Sequence, residues 1–463
     1  MGKKIKSNLI YGMCAQTLTF LVNVCISFLM PRVLGLNQFA YWQLFIFYTS
    51  YVCFFHFGLP DGIYLINGGK SIEELDKNRI AGQFRRMIFL QSLIAIVIGM
   101  TGYVATIDKA RRHVIILTAI YLILINFNNF YGMVYQAVNE TRWYSFSLII
   151  DKLFFFICLG VLLVKRETNY EVYITVYCIG RLLACVYSYI KCRELLTAKR
   201  AKNQLIWQDM LSNIKVGSNL MLSVIASTLI LGVGRAFIDG KWGIKTFGIF
   251  SFALTLSNFI LQFINQISIV LFPALRNISE RDLVQVYKRL RKYIVCVLGL
   301  IPMMYLPLSF LIKRWLPQYE SSMQYLALLL PISFFDGKMQ MLATTYFKVL
   351  RKEKVMLKIN LSVLFYSFMI TGIGAHLLED IWCVVVGMIS AIVFRDLIAE
   401  YIIEKELGIT LSVKRWLEVL SIIVYWGTMM TLGVWQALTL YGAVYAVIVV
   451  INYFEKNVTI REA

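Results

Sequence analysis

Four side-chain amides, Asn258, Gln262, Asn265 and Gln266, fall at i, i+4, i+7 and i+8 in an otherwise apolar stretch. On a helix that spacing puts all four on one face. A polar side chain in hydrocarbon is costly and turns toward a partner or a wet cavity. As a set, the stripe reads as the lining of a water-filled lumen. For any one amide, a hydrogen bond to a neighbouring helix is the alternative. Thr19, Asn23 and Ser27 form a second series at four-residue steps, and Asn126, Asn129 and Gln136 a third.

Charges in apolar stretches are fewer. The basic ones are Lys152, Arg181, Arg235, Lys338 and Arg395. Arg181 and Arg235 are expected to have no sequence-local acid as a partner. A guanidinium there either forks onto the oxygens of an anionic ligand or pairs across helices with Asp61, Asp151 or Asp336. Asp61 follows Gly58 and Pro60, residues that break or kink a helix. It reads as a cation or proton site, as half of a gating ion pair, or as an interfacial residue. His56, close by, reads as a hydrogen-bonded structural histidine. Asp336, Gln340 and Thr344 share one helix face, while Lys338 points elsewhere. Asp396 and Glu400, at i, i+4, read as a solvated helix end.

No catalytic constellation is present. The three histidines, His56, His113 and His376, are far apart, and Gly68-Gly69-Lys70 lacks the context of a phosphate loop. The nine cysteines are scattered, which predicts neither a metal site nor a disulfide framework. An enzyme is not expected.

The elements that must position these residues are membrane spans. Of 463 residues, 59% are hydrophobic and 16% charged, against roughly a quarter charged in soluble domains. Apolar runs of about 20 residues, enough to cross a bilayer, predict about fourteen helices: 7–30, 38–66, 87–107, 113–138, 143–164, 172–190, 214–238, 246–272, 293–312, 323–347, 355–378, 381–404, 415–436 and 438–454. The basic start, Met1–Lys6, leads into an uncleaved first helix.

Lys and Arg gather in cytoplasmic loops. With the N-terminus inside, 31 of the 46 basic residues are cytoplasmic, 10 lie outside and 5 in spans. Both termini are therefore expected in the cytoplasm. This topology accounts for the net charge of +20, which in a soluble protein would suggest nucleic acid; no nucleic-acid partner is expected here.

A repeat supports two halves. Gly35-Leu36-Asn37-Gln38-Phe39-Ala40-Tyr41-Trp42 and Gly243-Ile244-Lys245-Thr246-Phe247-Gly248-Ile249-Phe250 both fit G-x-x-x-F-[AG]-x-[WF], offset by 208 residues. The predicted organisation is an N-terminal lobe over 1–195, a basic cytoplasmic linker over 196–213, a C-terminal lobe over 214–405, and two further helices with a tail over 406–463. Two-half architectures bind substrate between the halves and work by rocking.

The opening hairpin carries a resemblance. Pro31-Arg32-Val33-Leu34-Gly35, Phe39, Tyr41-Trp42, then Phe57 to Leu65 and Gly68-Gly69-Lys70, resemble the Wzx-type flippases of bacterial polysaccharide biosynthesis. These belong to the multidrug/oligosaccharidyl-lipid/polysaccharide (MOP) superfamily. The resemblance implies an all-α, MATE-like fold of two six-helix lobes plus two C-terminal helices in the bacterial inner membrane. It implies flipping of an undecaprenyl-diphosphate-linked oligosaccharide to the outer leaflet, for O-antigen or capsule-like assembly alongside polymerase and ligase machinery. Basic lumen residues would attract the diphosphate; the candidates are Arg32 and Arg235, with Arg181 and Lys338. No cofactor is implied beyond an H+ or Na+ gradient or the membrane potential, with Asp61 or Asp336 as coupling sites. The competing readings are a cation-coupled drug antiporter of the same superfamily, a membrane glycosyltransferase or polymerase, and a non-transporting scaffold of a polysaccharide assembly complex. The antiporter needs an acidic cavity, and the polymerase class a large outer loop that the sequence lacks.

Overall fold

The computed structural model describes residues 2–196, 198, 202–276, 280–409 and 414–454. Among them every regular element is helical. The main helices are α1 (Gly2–Val52), α2 (Leu59–Asn67), α3 (Lys77–Ala105), α4 (Lys109–Ala137), α5 (Thr141–Val164), α6 (Tyr170–Lys191) and α7 (Asn203–Arg276). They continue with α8 (Glu280–Leu298), α9 (Tyr305–Trp315), α10 (Ser322–Lys338), α11 (Glu353–His376), α12 (Ile381–Glu406), α13 (Lys414–Thr431) and α14 (Val434–Phe454). Among the described residues, eleven helices are long and apolar enough to cross a membrane. Two of these, within α1 and α7, each hold two predicted spans, and α13 holds a further one. The chain is an all-α polytopic membrane protein with the predicted set of about fourteen spans.

The spans begin where side chains cap them. Asp76, Asp108, Asn169 and Asp380 each accept a backbone N–H of the first turn that follows. Such caps satisfy donors that a helix end leaves open. In the turn before α12, Lys241 donates to Glu379 and holds its exposed carboxyl below the usual range.

The repeat has a backbone counterpart. α1 is broken at Gly35 (φ 67°, ψ 175°) and α7 at Gly243 (φ 78°, ψ 176°). This region is essentially restricted to glycine. Four residues on, Phe39 and Phe247 are both fully buried. Sequence and geometry repeat together.

The predicted span 38–66 is two pieces. Its helix ends at Val52, turns through Cys53–His56, passes left-handed Phe57 and Gly58, and restarts at Leu59. Asn126 of α4 donates 2.9 Å to the Val52 carbonyl, an acceptor left over by the break. The span 323–347 is interrupted differently. Directly after Lys338 the helix widens into a π-helical stretch, Met339–Thr344, then resumes over Thr345–Val349.

The chain divides into two compact units, Met1–Ile225 and Ala226–Ala463, later than the lobe boundary at 195 that the sequence suggested. The reason lies in the expected linker. From Asn203 it is helical and packs on the first unit. Asp209 pairs with Arg79 at 3.1 Å, and the buried Asn213 amide donates 2.8 Å to Gln83. α2 crosses this stretch backbone to backbone: a Cβ on Gly62 would stand 1.9 Å from the Asn213 carbonyl oxygen.

The core of the first unit joins α2, α3 and α4 through Leu59, Ile63, Phe84, Met87, Phe130 and Tyr131. In the second unit α10 is the central element, with nearly all its side chains buried. Gly35→Ala and Gly243→Ala should each destabilise the folded protein by about 1–3 kcal/mol, the cost of a side chain in this backbone region. The pair should be roughly additive, since the sites belong to different compact units. Unfolding in detergent checks this, and two unchanged midpoints would refute it.

Candidate functional site

The densest polar feature of residues 226–463 is a charged cluster built from four helices. α10 supplies Lys338, 1% exposed. Its ammonium lies 2.8 Å from Asp396, 3.0 Å from Glu400 and 2.6 Å from Glu418. α8 supplies Arg291, which reaches Glu418 at 2.7 Å, Glu400 more closely, and Glu404 at 3.9 Å. α13 supplies Glu418 and also Arg415, 3.3 Å from Glu404. Asp396, Glu400, Glu404 and Glu418 are each at most 2% exposed. Beside them Arg395 pairs with Asp336 and donates 2.6 Å to Ser227, while Gln340 donates 3.1 Å to Asp336.

The helical register explains the convergence. Asp396, Glu400 and Glu404 recur every four residues on α12 and form one carboxylate stripe. The π-helical stretch begins one residue after Lys338, where it resets the helix face that follows.

Residues 1–225 hold a smaller cluster of opposite balance. Asp151 is fully buried and lies 3.0 Å from Arg181 and 3.8 Å from Lys152. Lys152 donates 3.0 Å to the Tyr177 hydroxyl and stands 4.7 Å from a tyrosine ring centre, in cation–π range. Arg181 donates 3.2 Å to Tyr121. Trp42, Phe45 and Phe155 pack their rings around Tyr177. Nearby, the Asn128 side-chain Oδ1 accepts from Ser147 and Ser188, two buried hydrogen bonds that join three helices.

Several sequence expectations meet different surroundings. Arg181 was unpaired by sequence; it is paired to Asp151 on the adjacent helix. Lys338, expected at an anionic headgroup, is enclosed by three carboxylates that already neutralise it. Asp336, expected at a coupling ion, is the partner of Arg395. Asp396 and Glu400, read as a solvated end, are buried and ion-paired. The physical reason is common to all five: a charge without a nearby sequence partner finds one across helices, at spacings that sequence does not display.

Other candidates stay open. Arg32 is exposed and Arg235 half-buried, the latter donating 3.1 Å to Ser251 and lying 5.3 Å from the Phe247 ring centre. Asn23, Asn258 and Gln262 are half-buried; the side chains of Asn265 and Gln266 lie outside the described residues. Asp61 is half-buried on the first turn of α2, 3.8 Å from His56, whose ring nitrogen accepts from the Gly58 amide.

Sequence reading missed Arg291, Glu404, Arg415 and Glu418. Arg291 had been counted with a cytoplasmic loop, but α8 runs on from Glu280 and carries it inward. Glu418 offered the one usable signal, a lone acid inside the apolar run of α13.

A family model described as polysaccharide biosynthesis protein matches residues 5–279. Among solved structures, the lipid II flippase MurJ in an inward closed conformation is similar at 11% identity and TM-score 0.62, covering 96% of this chain and 97% of that one. An inward-facing multidrug resistance MATE transporter of the MOP superfamily is similar at 14% identity and TM-score 0.59, covering 85% and 95%. An outward-facing MATE transporter of the same superfamily gives 13% identity and TM-score 0.52, covering 88% and 96%. A sequence comparison with curated proteins gave no match. These likenesses establish the MATE-like fold.

Removing one member of a buried ion network leaves its partners uncompensated, at about 3–5 kcal/mol. Lys338→Met should therefore destabilise the protein by that amount in denaturant unfolding. Lys313→Met, at an exposed pair with Glu320, should change stability by less than about 0.5 kcal/mol. Similar shifts for both variants would deny the cluster its energetic role.

Proposed function

The chain belongs to the polysaccharide biosynthesis protein family, and from that premise we propose that it is a flippase for an undecaprenyl-diphosphate-linked oligosaccharide. It moves this lipid from the cytoplasmic to the outer leaflet by alternating access, in assembly of an O-antigen or capsule-like surface glycan. It sits in the bacterial inner membrane with both termini in the cytoplasm, the orientation favoured by its basic loops. A proton or sodium gradient, or the membrane potential, drives the cycle. Polymerase and ligase machinery would take up the product.

The observation that carries the choice of an anionic cargo is how the membrane charges are used. The acids Asp151, Asp336, Asp396 and Glu400 are all ion-paired inside the protein. A transporter of bulky cations needs acids that its cargo can reach. Arg32 is exposed, and Arg235 is half-buried, donating to Ser251 and lying 5.3 Å from the Phe247 ring centre. Guanidinium groups in such settings suit the oxygens of a diphosphate. Half-buried Asn23, Asn258 and Gln262 offer hydrogen bonds of the kind sugars take. This reading gives Asp61 the coupling role, because among the described residues the ion-pair partner of its carboxylate is His56, at 3.8 Å.

The test is translocation of a labelled polyprenyl-diphosphate oligosaccharide in proteoliposomes. Protein should accelerate appearance of the glycan on the far leaflet, and equal rates with and without protein across several glycans would sink the proposal. Arg235→Ala should slow transport by about tenfold, the equivalent of one charged hydrogen bond. Normal transport by folded variant protein would strike Arg235 from the site.

A further inference from the structure

The cluster around Lys338 does not balance. Among the described residues, three cations, Lys338, Arg291 and Arg415, face four carboxylates, Asp396, Glu400, Glu404 and Glu418. The adjoining Arg395–Asp336 pair is neutral in itself and removes nothing from the surplus. One negative charge is left over, and the groups that carry it are almost fully buried. An uncompensated ion in such surroundings costs several kcal/mol after relaxation, so the site needs one more positive charge.

The geometry shows where the shortage falls. Glu400 and Glu418 each touch both Lys338 and Arg291. Asp396 has Lys338 alone and shares it with two other acids. Glu404 has Arg415 at 3.3 Å and Arg291 only at 3.9 Å. Asp396 Oδ2 meets only the shared Lys338 ammonium, at 2.8 Å, and Glu404 Oε2 only Arg415, at 3.3 Å, with no further donor to either among the described residues.

A second group points the same way. Tyr287 of α8 is 1% exposed, and its hydroxyl also has no hydrogen-bond partner among the described residues. It lies in the field of Glu400, Glu404, Arg291 and Asp396. An orphaned buried hydroxyl beside under-served carboxylates marks a place where a further donor belongs.

The added charge has to be small. No group of three or more His, Cys, Asp or Glu among the described residues is arranged to hold a metal ion. Lys338 and Arg291 themselves occupy the space between the acids. We propose that this cluster is a proton-binding site, taking one exchangeable proton onto Asp396 or Glu404. The groups facing that proton are Asp396, Glu400, Glu404 and the Arg395–Asp336 pair, with Lys338 from α10, Tyr287 and Arg291 from α8, and Arg415 and Glu418 from α13. The site follows from charge and geometry and holds whatever the cargo is.

Binding moves no electrons: a proton from water forms one O–H bond on a carboxylate, and its release restores the anion. Because Glu418 and Arg415 belong to α13, proton occupancy sets the charge of the join between α13 and the rest of its unit.

Infrared difference spectra of the full-length protein in lipid nanodiscs, recorded during a pH titration, test the proposal. The expected result is a protonated-carboxyl C=O band that shifts in deuterium oxide and disappears as pH rises. It persists in Asp61→Asn, which removes a half-buried carboxyl outside the cluster. It is lost in Glu418→Gln, where three acids meet three cations and no proton is needed. Carboxyl labelling of Asp or Glu with carbon-13 assigns it in wild type without any variant. The melting temperature of wild type should fall as pH rises through the loss of the band, and that of Glu418→Gln should fall less.

No titrating band beyond the one that Asp61→Asn removes would overturn the proposal. So would a band unchanged in Glu418→Gln, Asp396→Asn and Glu404→Gln alike. A band abolished at constant pH when sodium replaces choline in the buffer would also overturn it, because the missing charge would then be a metal cation.

Discussion

An ionised side chain taken out of water must find its opposite, and residues 226–463 meet that demand in one connected place. Lys338 sits on the most enclosed helix of its unit and draws carboxylates from α12 and α13 to a single ammonium. Arg291 then binds two of the same acids from α8. Four helices are thereby fixed in rotation and depth at once, because a turn or slide of any one would strand a charge. Apolar packing in lipid lacks this selectivity, since helices gain little by exchanging lipid contacts for one another. α13 is held to the body of its unit through Glu418 and Arg415, so the last pair of helices is chemically continuous with what precedes it.

Flexibility is placed elsewhere. The breaks at Gly35 and Gly243 share one backbone conformation that is essentially restricted to glycine. Each turns the chain between two spans while the following Phe39 or Phe247 stays buried. Two further interruptions lie within spans, the left-handed turn at Phe57–Gly58 and the π-helical stretch after Lys338. Irregular backbone at membrane depth is tolerated where it is buried in protein or lines a cavity. Here both interruptions adjoin ionisable residues, Asp61 and Lys338.

How far sequence could go follows from the period of each signal. Spans were legible because twenty apolar residues are a long signal, and the Gly35/Gly243 repeat because its residues are local and glycine-dependent. The break after Val52 was visible in Gly58 and Pro60. Partnerships were not visible. Arg181 and Asp151 are thirty residues apart, Lys338 and Glu418 eighty, and nothing along the chain links them. Glu404 and Arg291 were missed because a basic or acidic residue near a span end looks solvated unless the packing of other helices is known. The division at Ile225 was hidden for the same reason: the basic stretch from Asn203 resembles a linker until Arg79 and Gln83 are seen to hold it.

A buried ionic network is an expensive way to hold helices together, and well-packed apolar side chains often do as well or better. Stability alone therefore does not account for nine charged side chains in one core. What charges supply and aliphatic groups cannot is a response to an added or removed unit of charge. The two clusters differ in this respect. In residues 1–225, Lys152 and Arg181 outnumber Asp151, and the surplus is positive and wrapped in tyrosines. In residues 226–463 the surplus among the described residues is negative, almost fully buried, and placed where the last pair of helices joins its unit. A single proton there changes the net charge of the whole core by its full value, so the helices that meet at Lys338 are the ones whose fit must depend on it.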